Sequence, residues 1–416
     1  MKIVIIGAGV VGITTAHALS RRGHEVIVVD RQSGAAEEAS FANGSLLTPG
    51  MPHPWNTPGC WHELLGSLAR SDSALKLRWQ ALPSLLGWGL NFLRESAPDR
   101  FEKHAIANLR LALYSVGVME SIRTDTSVHY DQSALGSLRI FRERRALERA
   151  RESAERLSAY GLRYRELTTA NAVELEPGLM PIGSELYGAI HYQDDEVGNA
   201  RSFSLQLKSH TERCGARYLF RTQVAALWQE GDKVTIASRE GTRESCDACI
   251  VAAGSYTSRI LAGLGIEVPV RPIKGYSVTF AARHDDALLS IPILDDDFHA
   301  AVVPLPGSVR VAGTAEFAGY NTSLDMARVR NLTTLLGNVL PRVPLENGNA
   351  WCGLRSVSSD GVPIIGATPL RGVFVNTGHG HLGWTMAAGS AELMADVLEG
   401  KKPVLERSDY ALERFG

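Results

Sequence analysis

Uninterrupted apolar runs and amphipathic stretches alternate at the start of the chain. Ile3–Ile6 is apolar throughout, which predicts a parallel strand buried on both faces. Val10–Arg22 carries Ala16, Ala18 and Leu19 among its apolar positions and predicts a helix, closed by Gly23 just past its last turn. "HEVIVVD" predicts a second buried strand, ending at Asp30. In the middle, Arg145–Tyr160 is charged with helical spacing, and Val234–Ile236 predicts one strand of a meander. "CDACIVAAGSYT" (Cys246–Thr257) predicts a strand, a glycine turn and a helix. The runs "VRPIKGYSVTF", "HAAVVPLP" and "SVRVAGTAEF" are short, β-like and separated by turn residues, as in an antiparallel sheet. "GVFVNTGHGHLGWTMAAGSAELMADVLEG" returns to strand, glycine-rich turn and helix, closing at Gly400. Nucleotide-type elements at the start, middle and end, with sheet-like material between them, predict two domains built from discontinuous segments.

Composition narrows the class. The chain has 416 residues, too many for one simple core. It is 44% hydrophobic and 21% charged, with a net charge of -2 and no long run of one sign. That balance fits a soluble globular protein and excludes the basic patch of a nucleic-acid binder. Of Cys60, Cys214, Cys246, Cys249 and Cys352, only Cys246 and Cys249 have C-x-x-C spacing. The second pair of a structural zinc site is missing, so no metal is expected. The odd count without a framework fits a reducing compartment. No apolar stretch reaches the roughly 18 residues of a membrane span. Ala81–Leu93 reads as a core helix, or as a surface that leans on a membrane or a partner.

Gly7, Gly9 and Gly12 form G-x-G-x-x-G between a predicted strand and helix. In that context the pattern predicts a dinucleotide site. Gly7 makes the tight turn, Gly9 admits a pyrophosphate to the helix N-terminus, and Gly12 allows close helix–strand packing. Asp30 is placed to accept hydrogen bonds from a ribose, which favours FAD or NAD over NADP; Arg31 beside it weakens the exclusion of NADP. A second glycine-rich turn, "TGHGHLGWT" (Thr377–Thr385), presents backbone amides suited to a partly anionic group such as a reduced flavin. "EEASFANGSLLTP" (Glu37–Pro49) is small and polar enough to wrap a pyrophosphate from its far side.

With "GAGVVG", "EASFANG", "PIKGYS", "GLRSVSSDGVPIIG" and "NTGHGHLGWTMAAGS", the chain resembles, essentially end to end, the D-amino acid dehydrogenase small-subunit family. That family lies within the glycine oxidase, sarcosine oxidase and D-amino acid oxidase-like flavoproteins. The resemblance implies a Rossmann-like FAD-binding domain (1–85, 195–267 and 352–416) and a discontinuous antiparallel-sheet substrate domain (86–194 and 268–351), an α/β plus α+β fold. It implies oxidation of D-amino acids to 2-oxo acids and ammonia, with electrons passed to a quinone or carrier protein rather than to oxygen. A cytoplasmic location, with peripheral contact at the inner face of the bacterial cell membrane, goes with it. Carried over by position, Gly7, Gly9, Gly12 and Asp30, with Arg31, match the ADP motif. Ser40, Asn43 and Gly44 match the loop beside the flavin, Val224 the adenine-side strand, and Ala253 and Gly254 a strand-end turn. Gly378, Gly380, His381, Leu382, Gly383 and Thr385 match the isoalloxazine-side turn. Where close dehydrogenases tend to read "ANAGQ/M-x-SPG", this chain reads "ANGSLLTPG", which leaves the substrate side chain open. A cyclic imino acid such as D-proline or D-hydroxyproline, an oxygen-using oxidase, and a subunit that keeps FAD only for structure stay as alternatives.

The resemblance assigns Arg355 to the substrate carboxylate, and a planar guanidinium suits that task. The local sequence allows a structural pair with Asp360 instead. Tyr276, beside Lys274 and Gly275, is a candidate to cover the substrate or bond its carboxylate; Tyr320 is a weaker one. His381 is an open candidate base, whereas His379 reads as a local hydrogen-bonding residue. Cys352 is offset by one residue from where some sarcosine oxidases tether flavin, so FAD is expected to be non-covalent.

Overall fold

A computed structural model describes residues 1–60, 75–282 and 289–416. Its first sheet has six strands, in the order Ile364–Ala367, Val373–Thr377, Ala248–Val251, Lys2–Ile6, Glu25–Val29 and Arg217–Leu219. Only Ile364–Ala367 runs antiparallel to its neighbour. The start, middle and end of the chain therefore lie side by side. Lys2–Ile6 and Glu25–Val29 each bury four consecutive residues, as parallel strands covered on both faces do. The helices Val10–Arg21 and Gly383–Leu398 share one core, where Thr14 Oγ1 donates to Ala387 O at 3.0 Å. The expected meander is the antiparallel set Val224–Glu230, Lys233–Ser238 and Arg243–Cys246.

The second sheet has nine strands. One edge is Asn349–Ser358, paired antiparallel with Val270–Ala281, which pairs with Ser308–Phe317. Ala300–Leu305, Ile293–Asp295, Ser137–Phe141, Gly188–Tyr192 and Tyr164–Thr168 continue the order, and the ninth strand, Leu75–Leu77, pairs parallel with Ser308–Phe317 off this path. Tyr276, Val278 and Phe280 pack from this sheet against the helix Met326–Val339 in a separate core.

The packing departs from the expected boundaries. The helix Pro98–Thr126 lies in the interval given to the substrate domain, yet Leu111, Ala112 and Met119 join the first core with Ile3 and Ile13. The boundary between 351 and 352 cuts Asn349–Ser358, which belongs to the second sheet along its whole length. The boundary at 85 falls inside the helix Leu82–Arg94. An amphipathic pattern reveals that a helix has an apolar face, but not which core receives it.

Candidate active site

A cavity of about 1750 Å³ runs between the two sheets, from Gly9, Asp30 and Val224 at one end to Trp55, Trp351 and Arg355 at the other. It exceeds the roughly 300–1,000 Å³ of an ordinary ligand pocket, as a dinucleotide plus a substrate requires. At the dinucleotide end, Gly7 has φ +114°, and a β-carbon on Gly12 would meet Gly7 O at 1.9 Å. A β-carbon on Gly9 would meet protein only at 3.6 Å, so the space beside it belongs to the cavity. Val10 N–H donates to Ser40 Oγ at 3.1 Å, which ties the flavin-side loop to the helix start. Asp30 accepts from Ala8 N at 2.6 Å and Gln32 N at 2.8 Å, one on each oxygen. Burial raises its pKa and these two donors oppose the rise. Arg31 borders the cavity, donates to Glu38 Oε1 at 2.8 Å and lies 3.7 Å over the Tyr256 ring. Ala253 and Gly254 border it as well.

The residues present fit FAD. Asn43 and Gly44 line the cavity, while Ser45 turns away to Arg310, which donates to Ser45 Oγ at 2.8 Å and Asn43 O at 3.1 Å. In the second glycine turn, Gly380, His381 and Gly383 line the cavity. Three neighbours are spent on the protein itself. Gly378 N–H donates to Ser356 Oγ, Leu382 N–H donates to His379 O, and Thr385 Oγ1 accepts from Thr48 N. Gly378, Leu382 and Thr385 shape the turn and do not line the cavity. Asn376, which the sequence reading missed, is buried and borders the cavity; its Oδ1 has no hydrogen-bond partner among the described residues. Its sequence signal is weak, because one Asn before a glycine turn is commonplace.

Arg355 lies on the cavity wall. Its strand partner is Ile273, and its side chain reaches across to Gly275, where a β-carbon would stand 2.1 Å from Nη1. The neighbouring strand carries one extra residue here: Lys274 pairs with Glu316 but Tyr276 with Gly313. Within that bulge Thr314 has φ 64°, a strained conformation for a β-branched residue, and its carbonyl accepts from Arg355 Nη1 at 2.8 Å. Asp360 is taken by Arg414, with contacts of 2.7 and 3.1 Å, so the alternative pairing of Arg355 falls. No carboxylate among the described residues pairs with Arg355, and burial pulls its pKa down to about 10.

Trp55 completes this end. Its loop is fixed by Gly50 N–H to Asp195 at 2.8 Å, Asn108 to Pro52 O at 3.0 Å, and His381 Nε2 to Met51 O at 3.1 Å. The Trp55 ring stacks on His381 with centroids 5.3 Å apart and planes 10° apart, and lies 5.3 Å from the Arg355 guanidinium carbon. Burial, aided by the charge of Arg355, pulls His381 down to about 4, so it is neutral at working pH. A carbonyl can only accept, so the proton sits on Nε2 and Nδ1 keeps the lone pair. His379 bonds Ser390 at 2.9 Å, the local role read from the sequence.

Tyr276 borders the cavity, but it is adjacent to Gly275 on one strand, so its side chain takes the opposite face, and its hydroxyl donates to Glu316 beside Lys274, the structural role that the sequence also allows. Tyr320 donates to Ser255 O at 2.8 Å and does not border the cavity. Cys352, opposite Tyr276, also faces away and donates to Thr322 O at 2.9 Å. The sequence reading missed Trp55, which only loop closure brings to Arg355, and Trp351, which strand alternation two steps before Arg355 could have placed on the same face.

The family described as FAD dependent oxidoreductase, DAO, matches residues 2–397. A D-amino acid dehydrogenase of Methylobacterium radiotolerans is 36% identical over 417 residues, covering 100% of both chains. One of Paramagnetospirillum magneticum is 37% identical over 421 residues, covering 100% of this chain and 99% of its own. Among solved structures, glycine oxidase from Geobacillus kaustophilus superposes with a TM-score of 0.76 at 20% identity, over 99% of this chain and 97% of its own. L-Proline dehydrogenase from P. horikoshii gives 0.77 at 18% identity, over 100% and 97%. The fold is therefore that of these flavoproteins, and the chain belongs to the DAO family of FAD-dependent oxidoreductases.

Proposed function

We propose that the protein is a dehydrogenase that oxidises D-amino acids to 2-oxo acids and ammonia with non-covalently held FAD, and passes the electrons to a quinone or another acceptor that is not oxygen. The observation that carries this reading is Arg355, a cation without a carboxylate partner among the described residues, on the wall of the cavity that begins at the dinucleotide fingerprint. The full-length relatives named D-amino acid dehydrogenase support it.

When bound, FAD supplies the two-electron acceptor for the hydride that leaves the substrate Cα. Gly9, Asp30, Asn43, Asn376 and Gly380 would hold it. Arg355 binds the substrate carboxylate through its guanidinium fork, and Thr314 O fixes the orientation of that fork through Nη1. Trp55 and His381 wall off water beside it. Neutral His381 leaves the carboxylate no competing cation. Catalysis by these residues is chiefly orientation.

The reading includes a peripheral contact with an anionic lipid surface. No helix among the described residues is long and apolar enough to cross a membrane. On Leu82–Arg94, Leu85, Trp88 and Phe92 pack inward, while Leu82, Leu86, Leu90 and Leu93, with Trp79 before the helix, are exposed along one stripe. The helix carries no acid, ends in Arg94, and receives Arg271 at Ser84 O. That combination suits anionic headgroups.

A panel of D- and L-amino acids and D-proline, mixed anaerobically with the holoenzyme, tests the activity. Bleaching by D-amino acids followed by slow reoxidation in air is expected. No bleaching removes the enzymatic reading, and fast reoxidation replaces the dehydrogenase by an oxidase.

A further inference from the structure

Gly275 and Gly353 stand directly opposite each other on paired strands at the edge of the second sheet. Neither space is empty. The Arg355 guanidinium lies over Gly275, and the Trp351 ring lies over Gly353, with Cη2 2.1 Å from where a β-carbon would be. Opposed β-carbon positions on paired strands are about 5 Å apart. The indole and the guanidinium are therefore neighbours on one face, held there by two missing side chains. Phe41, from the flavin-side loop, stacks against Trp351 with centroids 6.4 Å apart and steadies it.

We propose that Trp351 is a specificity-determining residue and that the preferred substrates are D-amino acids with a large apolar side chain, aromatic or branched aliphatic. This rests on the D-amino acid reading above. A carboxylate on Arg355 brings the substrate side chain within reach of Trp351 on one side and of the Trp55–His381 stack on the other. Both walls are aromatic, and His381 is uncharged. Ala312, opposite Ser277 on the next strand, borders the cavity with a side chain of one methyl group and leaves room for bulk. A charged side chain would lose water there and gain no counter-charge. A methyl group would be too short to cover either indole. Arg139 and Asp296, which both border the cavity, are paired with each other, and Arg139 Nη1 lies 3.9 Å from the sulfur of Met51, whose carbonyl bonds His381.

The test measures anaerobic flavin reduction by D-phenylalanine, D-leucine, D-alanine, D-aspartate and D-lysine, in wild type, Trp351→Ala and Trp351→Phe. Expected in wild type is an efficiency for D-phenylalanine and D-leucine at least tenfold above D-alanine and a hundredfold above the charged pair. Trp351→Ala should lower the D-phenylalanine value at least tenfold and the D-alanine value less than threefold, while Trp351→Phe keeps most of both. FAD content, read from the visible spectrum, checks that the variants are loaded. If Trp351→Ala does not load, the wild-type ranking and Trp351→Phe still decide. A wild-type preference for D-alanine, D-aspartate or D-lysine, or an equal loss for all substrates in a loaded variant, overturns the inference while leaving the activity standing. Failure of every D-amino acid to bleach the flavin removes the activity itself, and the inference with it.

Discussion

Arg355 occupies the place of a side chain that Gly275 does not have: a β-carbon there would stand 2.1 Å from Nη1 and 2.2 Å from Cζ. The strand thus holds the cation flat against its own backbone, where Thr314 O meets it from the next strand. Gly275→Ala should push the guanidinium off this seat. The expected result is a KM for the amino acid raised at least tenfold with FAD content unchanged. A KM within twofold of wild type would show that the seat is not needed.

Asp30 accepts two backbone N–H groups at the strand end, at 2.6 and 2.8 Å, and fixes the turn at Ala8 beside the dinucleotide end. Asp30→Ala leaves both donors unpaired and removes the acceptor for a ribose, each a loss of about 1–3 kcal/mol. The FAD dissociation constant, measured by fluorescence titration of apoprotein, should rise by about 10- to 100-fold, with the ranking of substrates unchanged. Equal FAD affinity would take Asp30 out of the site.

Acid should weaken the fold before any carboxylate pair breaks. Burial pulls His17 down to about 4 and His379 to about 3. Between there and 6.5 the unfolded chain carries protons that the folded chain does not, so stability falls as pH falls, by at most about 1.4 kcal/mol per pH unit for each histidine. Asp195 acts in the opposite sense: burial raises it to about 7, so its contribution is lost as pH rises from 3.8 through 7. His53 and His381, both pulled down to about 4 by burial, act with His17 and His379, and Asp30 and Asp295, raised by burial, act with Asp195; the histidines outnumber the carboxyls. The Tm of FAD-saturated protein should drop by at least about 2 °C between pH 6.5 and 5. A flat or rising Tm would contradict this assignment of buried neutral imidazoles.

The lipid-facing stripe has its own readout. Leu86→Glu with Leu90→Glu replaces the two most exposed leucines of Leu82–Arg94, 67% and 71% exposed. Co-sedimentation with phosphatidylglycerol vesicles should be lost, while kcat/KM with a soluble dye as acceptor stays within twofold. Equal sedimentation of variant and wild type would move the contact elsewhere.

Local spacing carried much of this structure. Gly7, Gly9, Gly12 and Asp30 lie within one β-α-β unit, so sequence distance is spatial distance, and the dinucleotide end was legible. The turn at Thr377–Thr385 was legible for the same reason, though which of its amides the protein itself uses was not: Gly378 and Leu382 are committed to Ser356 and His379. Tyr276 shows the limit on a strand. Alternation says that Gly275 and Tyr276 face opposite ways, but only the pairing of Val270–Ala281 with Asn349–Ser358 decides which one shares a face with Arg355. Trp55 is three hundred residues of sequence from Arg355 and meets it only through tertiary contacts, whereas Trp351 lies four residues before Arg355 on the same strand, where alternation alone puts both on one face. The helix Pro98–Thr126 joined the first core because Gly383–Leu398 lies against it, a choice no local pattern encodes.

The pairing of a buried cation with a substrate carboxylate is tested most directly by changing both partners. Flavin reduction by D-phenylalanine and by its amide, in wild type and in Arg355→Met, closes a cycle in which only the carboxylate–guanidinium contact differs. Wild type should prefer the acid over the amide by about 100-fold or more, and Arg355→Met, still yellow, should reduce with both at similar low efficiency. Retention of the full preference for the acid in Arg355→Met would contradict the assignment of Arg355 to the substrate carboxylate.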